Sequence, residues 1–280
     1  MHDVLCSRLH YLCADSIRNQ MTIATMVKAK KQLGQHFLRD SSVAERIAAT
    51  LESPMPSDVL ELGPGTGALT RFLLPRNDLN LKVMEIDAES VEFLEDNYPE
   101  LEGCILKADF LKYDLDKIFD GKPFTLIGNF PYNISSQIFF RVLENPDRIP
   151  VVCGMLQKEV AERLASPPGN KNYGILSVLL QAWYDIEYLF SVPPSVFNPP
   201  PKVMSGVIRM RRNNVKTLPC DGNKFRSVVK MSFNQRRKTL RNSLKPLVAD
   251  RDVSPIARFM DKRAEQLSVA DFIELTKFFE

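Results

Sequence analysis

Short apolar runs alternate with longer amphipathic stretches over the first three quarters of the chain. The apolar runs at 59–62, 81–86, 104–106, 125–127 and 151–156 read as strands. The stretches around 68–74, 88–97 and 135–143 read as helices. An earlier helix starts at Ser41, where Ser42 and Glu45 form an S-x-x-E capping box and Val43, Ile47 and Leu51 recur at helical spacing, until Pro54 and Pro56 end it. Strand–helix alternation of this kind predicts an α/β fold with a mostly parallel sheet covered on both faces. Two further strands, 185–192 and 203–210, flank the proline-rich turn 193–201 and predict an antiparallel edge hairpin. Beyond about Arg212 strand signals stop, and from Asn223 the chain reads as helices only. In the last of these Ser268 caps, and Val269, Phe272, Ile273 and Thr276 share a face. The expected organisation is a sheet domain over 27–212, a polar boundary at 213–221 and a small all-helical domain over 213–280.

Composition narrows the class. Hydrophobic residues make up 44% of the 280, enough for a sizeable core, and no apolar run approaches the ~20 residues that span a bilayer. Five cysteines, Cys6, Cys13, Cys104, Cys153 and Cys220, form no C-x-x-C pair and suit the reduced thiols of a cytoplasmic protein. With three histidines and no Cys/His cluster, no metal site is expected. Residues 1–26 lack a secretory profile, and Met26 opens a more purposeful stretch, MVKAKKQLGQHFLRD, so they are read as a disordered extension or an upstream start. The net charge of +3 says little, but its distribution says more: between Gly222 and Ala249 there are eight Lys or Arg and no acidic residue. On a helix, Arg237, Lys238, Arg241 and Lys245 fall on one arc beside Arg236, and Leu240, Leu244 and Leu247 on another that should dock on the body. Such a surface attracts a nucleic-acid backbone, positioning it rather than reading its sequence.

Two motifs carry candidate chemistry. The first is DVLELGPGTGALT (58–70), a strand running through Gly63, Gly65 and Gly67 into a helix. Glycines there allow close backbone approach to a ligand, and the helix start offers free N–H groups. Glu85, at the end of the next strand, is placed to accept hydrogen bonds from ribose hydroxyls. Gly63, Gly65 and Ala68 also satisfy the dinucleotide fingerprint, so a nicotinamide oxidoreductase stays open on this loop alone. Asp109 and Phe110 follow the third strand, where a carboxylate can accept from an adenine amine and a ring can pack on the base.

The second motif is Asn129-Phe130-Pro131-Tyr132, at the carboxyl end of the fourth strand and therefore facing the glycine loop. An adenine N6 amine is a poor nucleophile because its lone pair is delocalised into the ring. The Asn129 side-chain oxygen and a backbone carbonyl held by the stiff Phe130-Pro131 unit can accept its two protons and favour a more tetrahedral nitrogen. Tyr132 offers a face on which an extruded base can stack, worth ~1–3 kcal/mol.

Together Gln35-His36-Phe37-Leu38, ELGPGTG, MEID, ADF, GNFPYNIS and FNPPPKVMS (197–205) resemble the ribosomal RNA adenine N6,N6-dimethyltransferases. The likeness runs from Lys30 to about Phe279. It is greatest to the bacterial small-subunit (16S) branch, which acts on two adjacent adenosines near the 3′ end of that RNA. The QRRKTLRNSLK and YGILSV stretches favour that branch over the antibiotic-resistance enzymes of the large subunit. The resemblance implies a Rossmann-like sheet that binds S-adenosyl-L-methionine, and a monomer acting on small-subunit RNA in a pre-ribosomal particle. It assigns His36, Leu38, Gly63 and its loop, Glu85, Asp109 and Phe110 to the cofactor, and places Asn129 between cofactor and base. Phe197 would form the second aromatic wall opposite Tyr132. Phe130 stands where the family usually has Leu or Ile. An RNA-binding assembly factor whose methylation is secondary is the rival from another class.

Overall fold

Along each central strand successive side chains enter opposite apolar clusters, the period-two signature of a sheet covered on both faces. Val151, Cys153 and Met155 join one cluster, and Val152 and Leu156 the other. The computed structural model describes residues 27–280 except Ser53, Ala249 and Asp250; the extension expected over 1–26 lies outside the described residues. The strands are β1 (Phe37–Leu38), β2 (Asp58–Leu62), β3 (Asn80–Glu85), β4 (Ile105–Lys107), β5 (Thr125–Asn129), β6 (Val151–Gln157), β7 (Tyr184–Val192), β8 (Phe197–Asn198) and β9 (Ser205–Arg212). The α-helices are α1 (Ser41–Ala48), α2 (Thr70–Leu73), α3 (Ala88–Asn97), α4 (Ser135–Glu144), α5 (Lys158–Ala165), α6 (Ile175–Gln181), α7 (Gly222–Asn234), α8 (Leu240–Ser243), α9 (Lys245–Val248), α10 (Ala257–Met260) and α11 (Val269–Phe279).

The main sheet has seven strands in the order β4-β3-β2-β5-β6-β9-β7. Strands β2 to β6 pair in parallel, and β9 runs antiparallel to both β6 and β7. The expected edge hairpin is therefore present, with β7 at the edge and β9 returning inside it. From β2 the chain builds outward through β3 and β4, and from β5 the other way through β6. The switch between β2 and β5 opens a crevice at their carboxyl ends, the place where ligands bind in such sheets. A second, two-stranded ribbon pairs β1 with β8, setting Leu38 opposite Phe197.

Four details differ from the sequence reading. Helix α1 is capped by Asp40 and not by Ser42: the Asp40 carboxylate accepts from the Ser42 and Val43 amides at 2.9 and 3.3 Å. The helix starts two residues earlier than the box requires, so Ser42 already lies in its first turn. On α11 the Ser268 cap holds, with Asp271 returning the bond to the Ser268 amide at 2.8 Å. Its buried side, however, is Phe272, Leu275, Thr276 and Phe279, with Val269 and Ile273 only half-buried. The basic stretch is not one helix. Helix α7 stops at Asn234, because 234–238 (Asn-Gln-Arg-Arg-Lys) has no apolar residue to bury, and α8 and α9 part at Leu244, just before Pro246, which has no N–H to continue the first of them. Helices α5 and α6 were not anticipated.

The C-terminal helices share the larger apolar cluster with the sheet: Phe225, Val228, Leu240, Leu244 and Phe272 pack in continuity with Leu60, Leu126 and Phe139. Among the described residues no helix is long and apolar enough to cross a membrane.

Phe130 is fully buried, edge-on to Phe139 at 5.9 Å. Its ring fits because β6 carries Gly154 beneath it; a Cβ there would stand 2.6 Å from Phe130 Cε2 and 2.6 Å from the Gly128 carbonyl oxygen. Gly154→Ala should therefore cost ~1–3 kcal/mol of stability through overpacking. Adding Phe130→Leu should recover part of the loss, as chemical denaturation midpoints will show.

Candidate active site

At the β2–β5 switch the two motifs meet. A Cβ on Gly63 would lie 3.9 Å from the Pro131 ring and 4.0 Å from the Asn129 carbonyl oxygen. Gly63 and Gly65 adopt φ of 67° and 56°, the left-handed region that glycine enters without strain. Between the motifs a cavity of about 300 Å³ opens. His36, Leu38, Gly63, Gly65, Glu85, Asp109, Phe110, Asn129, Pro131 and Tyr132 all line it.

Two expected residues do not. Gly67 turns away: a Cβ there would run into the Tyr98 ring, whose hydroxyl donates to the Thr66 and Gly67 carbonyls at 3.3 and 3.2 Å. Phe197 is 3% exposed and packs in the apolar cluster that also holds Leu38, its partner across the β1–β8 ribbon. It is absent from the cavity's lining, where the resemblance had placed it as a second wall opposite Tyr132. The ring nearest Tyr132 is His36, with centroids 5.5 Å apart.

The segment from Lys30 to Leu38 lies against the cavity as a strap. Asn129 Nδ2 donates to the His36 carbonyl at 3.0 Å, and Asn133 Nδ2 to the Gln32 carbonyl at 3.2 Å. Gln35 Nε2 donates to Asp87 at 3.0 Å, and Lys30 forms an ion pair with the same carboxylate. Burial works to raise the Asp87 pKa, but the bonds from Gln35, Lys30 and Ser90 outweigh it and hold the group below the usual range. His36 Nδ1 meets the Pro199 carbonyl at 2.8 Å, and Tyr132 shares a hydrogen bond with Ser205. Asp87, Gln35, Asn133 and Ser205 escaped the sequence reading, although each stands inside a quoted motif.

The Asn129 amide is the most informative group. A carbonyl only accepts, so the His36 contact fixes Nδ2 toward the strap and leaves Oδ1 on the other side of the amide. That oxygen is buried and has no partner. An unsatisfied acceptor costs about 1–3 kcal/mol, which a donating ligand would recover.

The lining holds three carboxylates, Glu61, Glu85 and Asp109, and no Lys or Arg. Glu85 accepts from the Gly65, Ile86 and Asp87 amides at 3.2, 2.9 and 2.9 Å. Burial raises its pKa against the pull of those amides. Asp109 accepts from the Leu111 amide at 2.9 Å. Such acceptors suit a cationic ligand carrying amine and hydroxyl donors, and the lining offers no Lys or Arg to a pyrophosphate.

The matching family model is the ribosomal RNA adenine dimethylases, over residues 26–280. The chain belongs to that family. It is 59% identical over 251 residues to the ribosomal RNA small subunit methyltransferase A of Parabacteroides distasonis, covering 90% of this chain and 94% of that one. It is 60% identical over 252 residues to the protein of the same name from Bacteroides thetaiotaomicron, again covering 90% and 94%. Among solved structures, a dimethyladenosine transferase from Plasmodium falciparum superposes with a TM-score of 0.72 at 25% identity, over 87% of this chain and 97% of that one. The 23S rRNA methyltransferase ErmE gives 0.65 at 28%, over 86% and 99%. As in the rest of the adenine dimethylase family, the methyl donor is S-adenosyl-L-methionine. The acidic wall, the bare glycine loop and the unpartnered amide oxygen fit that cation and its acceptor.

Glu61, 1% exposed beneath the glycine loop, accepts from Thr70 Oγ1 at 2.7 Å. Burial pushes its carboxyl up to about 8, against the Thr70 bond and with help from Glu85. Its folded pKa lies above the ordinary 4.5, so its contribution is complete below that value and is lost as pH rises through about 8. Glu61→Gln should flatten this decline, which urea midpoints of the cofactor-free protein across that window will report.

Proposed function

We propose that this chain transfers methyl groups from S-adenosyl-L-methionine to N6 of two adjacent adenosines near the 3′ end of small-subunit (16S) ribosomal RNA, giving N6,N6-dimethyladenosine. The buried, unpartnered Oδ1 of Asn129, a residue at the end of β5 that lines an acidic pocket, carries this reading. Relatives near 60% identity bear a small-subunit name, which favours that branch over the large-subunit one. The reaction serves assembly of the small subunit in the cytoplasm, on a pre-ribosomal particle, with the protein acting as a monomer.

Residues 27–212 hold the chemistry, and 213–280 dock the RNA. Glu85 binds the ribose hydroxyls, Asp109 the adenine amine beside Phe110, and Gly63 and Gly65 the methionine part under His36 and Leu38. The bound cofactor supplies an electrophilic methyl on a sulfonium. A target adenosine leaves its stack and lies on Tyr132. Asn129 Oδ1 and the Phe130 carbonyl, held by Pro131, accept its two N6 protons and bring the nitrogen lone pair toward the methyl. No strong base is needed beforehand, because the N6 proton becomes acidic only after the new bond has formed.

The test is incubation with labelled methyl donor and immature small subunits, followed by nucleoside analysis. Labelled N6,N6-dimethyladenosine in small-subunit RNA is expected. Asn129→Ala should lose most turnover while its cofactor affinity stays within several-fold. Label confined to large-subunit RNA would overturn the assignment, and full turnover by Asn129→Ala would remove that residue from the mechanism.

The docking surface is selective among its cations. Arg236, Arg237, Lys238, Arg241 and Lys245 are all exposed. Arg241 pairs with Asp261 at 3.1 Å, while Arg236 reaches the Lys171 and Tyr173 carbonyls and Glu265. Arg237, Lys238 and Lys245 make no ion pair among the described residues. Replacing these three with Ala should reduce the salt dependence of RNA binding by about two to three counterions. Arg241→Ala should change it less, as filter binding across salt concentrations will show.

A further inference from the structure

Among the described residues three large apolar side chains are exposed: Ile86, Val203 and Met204. Ile86 lines the cofactor cavity. Val203 and Met204, 44% and 37% exposed, are neighbours in sequence and take no part in the site described above. A single exposed apolar residue means little, but two together on a braced loop beside a binding pocket call for a reason.

The loop that carries them is fastened at both ends to the pocket's aromatic walls. At one end the Pro199 carbonyl meets His36 Nδ1 at 2.8 Å. At the other, Ser205, fully buried, shares its hydroxyl with Tyr132. Between them the Met204 carbonyl accepts from the Lys158 amide at 2.9 Å, and three consecutive prolines, Pro199 to Pro201, remove backbone freedom. The apolar pair is thus presented rigidly, one residue from the group that anchors Tyr132. Lys202, next to it, is exposed and makes no ion pair among the described residues, so a cation suited to a phosphate adjoins the apolar tip.

An adenosine that enters the pocket leaves a gap in its own stack, and the neighbouring bases lose a face each. Proteins that unstack nucleic acid fill such gaps with unbranched or aliphatic side chains, methionine among them. We propose that Val203 and Met204 form a wedge that occupies the stacking position vacated by the target adenosine, with Lys202 holding the adjacent phosphate. The proposal rests on the functional reading above, since it needs a base drawn out of RNA. It makes the pair positioning residues for the RNA: they favour extrusion and leave cofactor binding and methyl transfer to other groups.

The full-length chain would be assayed on small subunits carrying adenosine at the target position and, in parallel, on subunits carrying 2-aminopurine there. With both Val203 and Met204 changed to Ser, kcat should fall by about tenfold, the scale of the unstacking cost that the wedge offsets. The rise in 2-aminopurine fluorescence on binding should be lost with it. Cofactor affinity measured by calorimetry should stay within about twofold of the unsubstituted chain's, since the pair lies outside the cofactor cavity. Met204→Leu alone, which keeps the apolar tip, should retain both turnover and fluorescence. Unchanged turnover and fluorescence in the double variant would overturn the wedge and leave the methyltransferase reading intact. So would a Met204→Leu defect as large as that of the double variant, since it would trace the effect to loop backbone. Failure of the unsubstituted chain to methylate either subunit's RNA would overturn the functional reading, and the wedge with it.

Discussion

The hydrogen bond from the Asn129 side chain to the His36 carbonyl holds the site together. It ties the end of a central strand to the strap that closes the cavity. It also settles which way the amide faces, because only the nitrogen can donate. The oxygen is then left buried without a hydrogen-bond partner among the described residues. A rotated amide would set two acceptors against each other at the strap and offer donors to a substrate amine that itself donates. Strand, strap and chemistry therefore depend on one orientation.

The cavity gathers carboxylates without a compensating cation in its lining, an arrangement with a real electrostatic cost. The chain offsets part of it locally. Glu85 takes three backbone amides from the glycine loop and its own strand end, and Glu61 takes the Thr70 hydroxyl. What remains is a preference for positive charge in the cavity, which suits a sulfonium cofactor. Asp87 plays a different part. Its carboxylate is satisfied by Lys30, Gln35 and Ser90, and its work is to hold the strap.

The C-terminal helices extend the core of the sheet rather than standing apart from it, since one apolar cluster runs through both. The cations presented from 236 to 245 are thus carried on the same packed body as the pocket. Their separation into paired and unpaired members comes from acidic residues far along the chain, Asp261 and Glu265, which approach only after folding.

The sheet, its parallel strands, the edge hairpin and ten of the residues that line the cavity were legible in the sequence. Those features follow from local pattern: apolar period, glycine spacing, and chemistry at strand ends, where neighbouring residues must lie near one another. Only the tertiary structure decided what depends on distant pairing. Phe197 is offered as a wall of the base slot by the resemblance, but in the fold it is buried in an apolar cluster with Leu38, far away in sequence. Gly67 faces Tyr98 and not the cavity, again through a contact between remote segments. The basic helix broke where no apolar residue could anchor it, and the Asn129 oxygen was left free by a carbonyl some ninety positions upstream. Side-chain direction and hydrogen-bond satisfaction are properties of contacts between remote segments, and no local pattern encodes them.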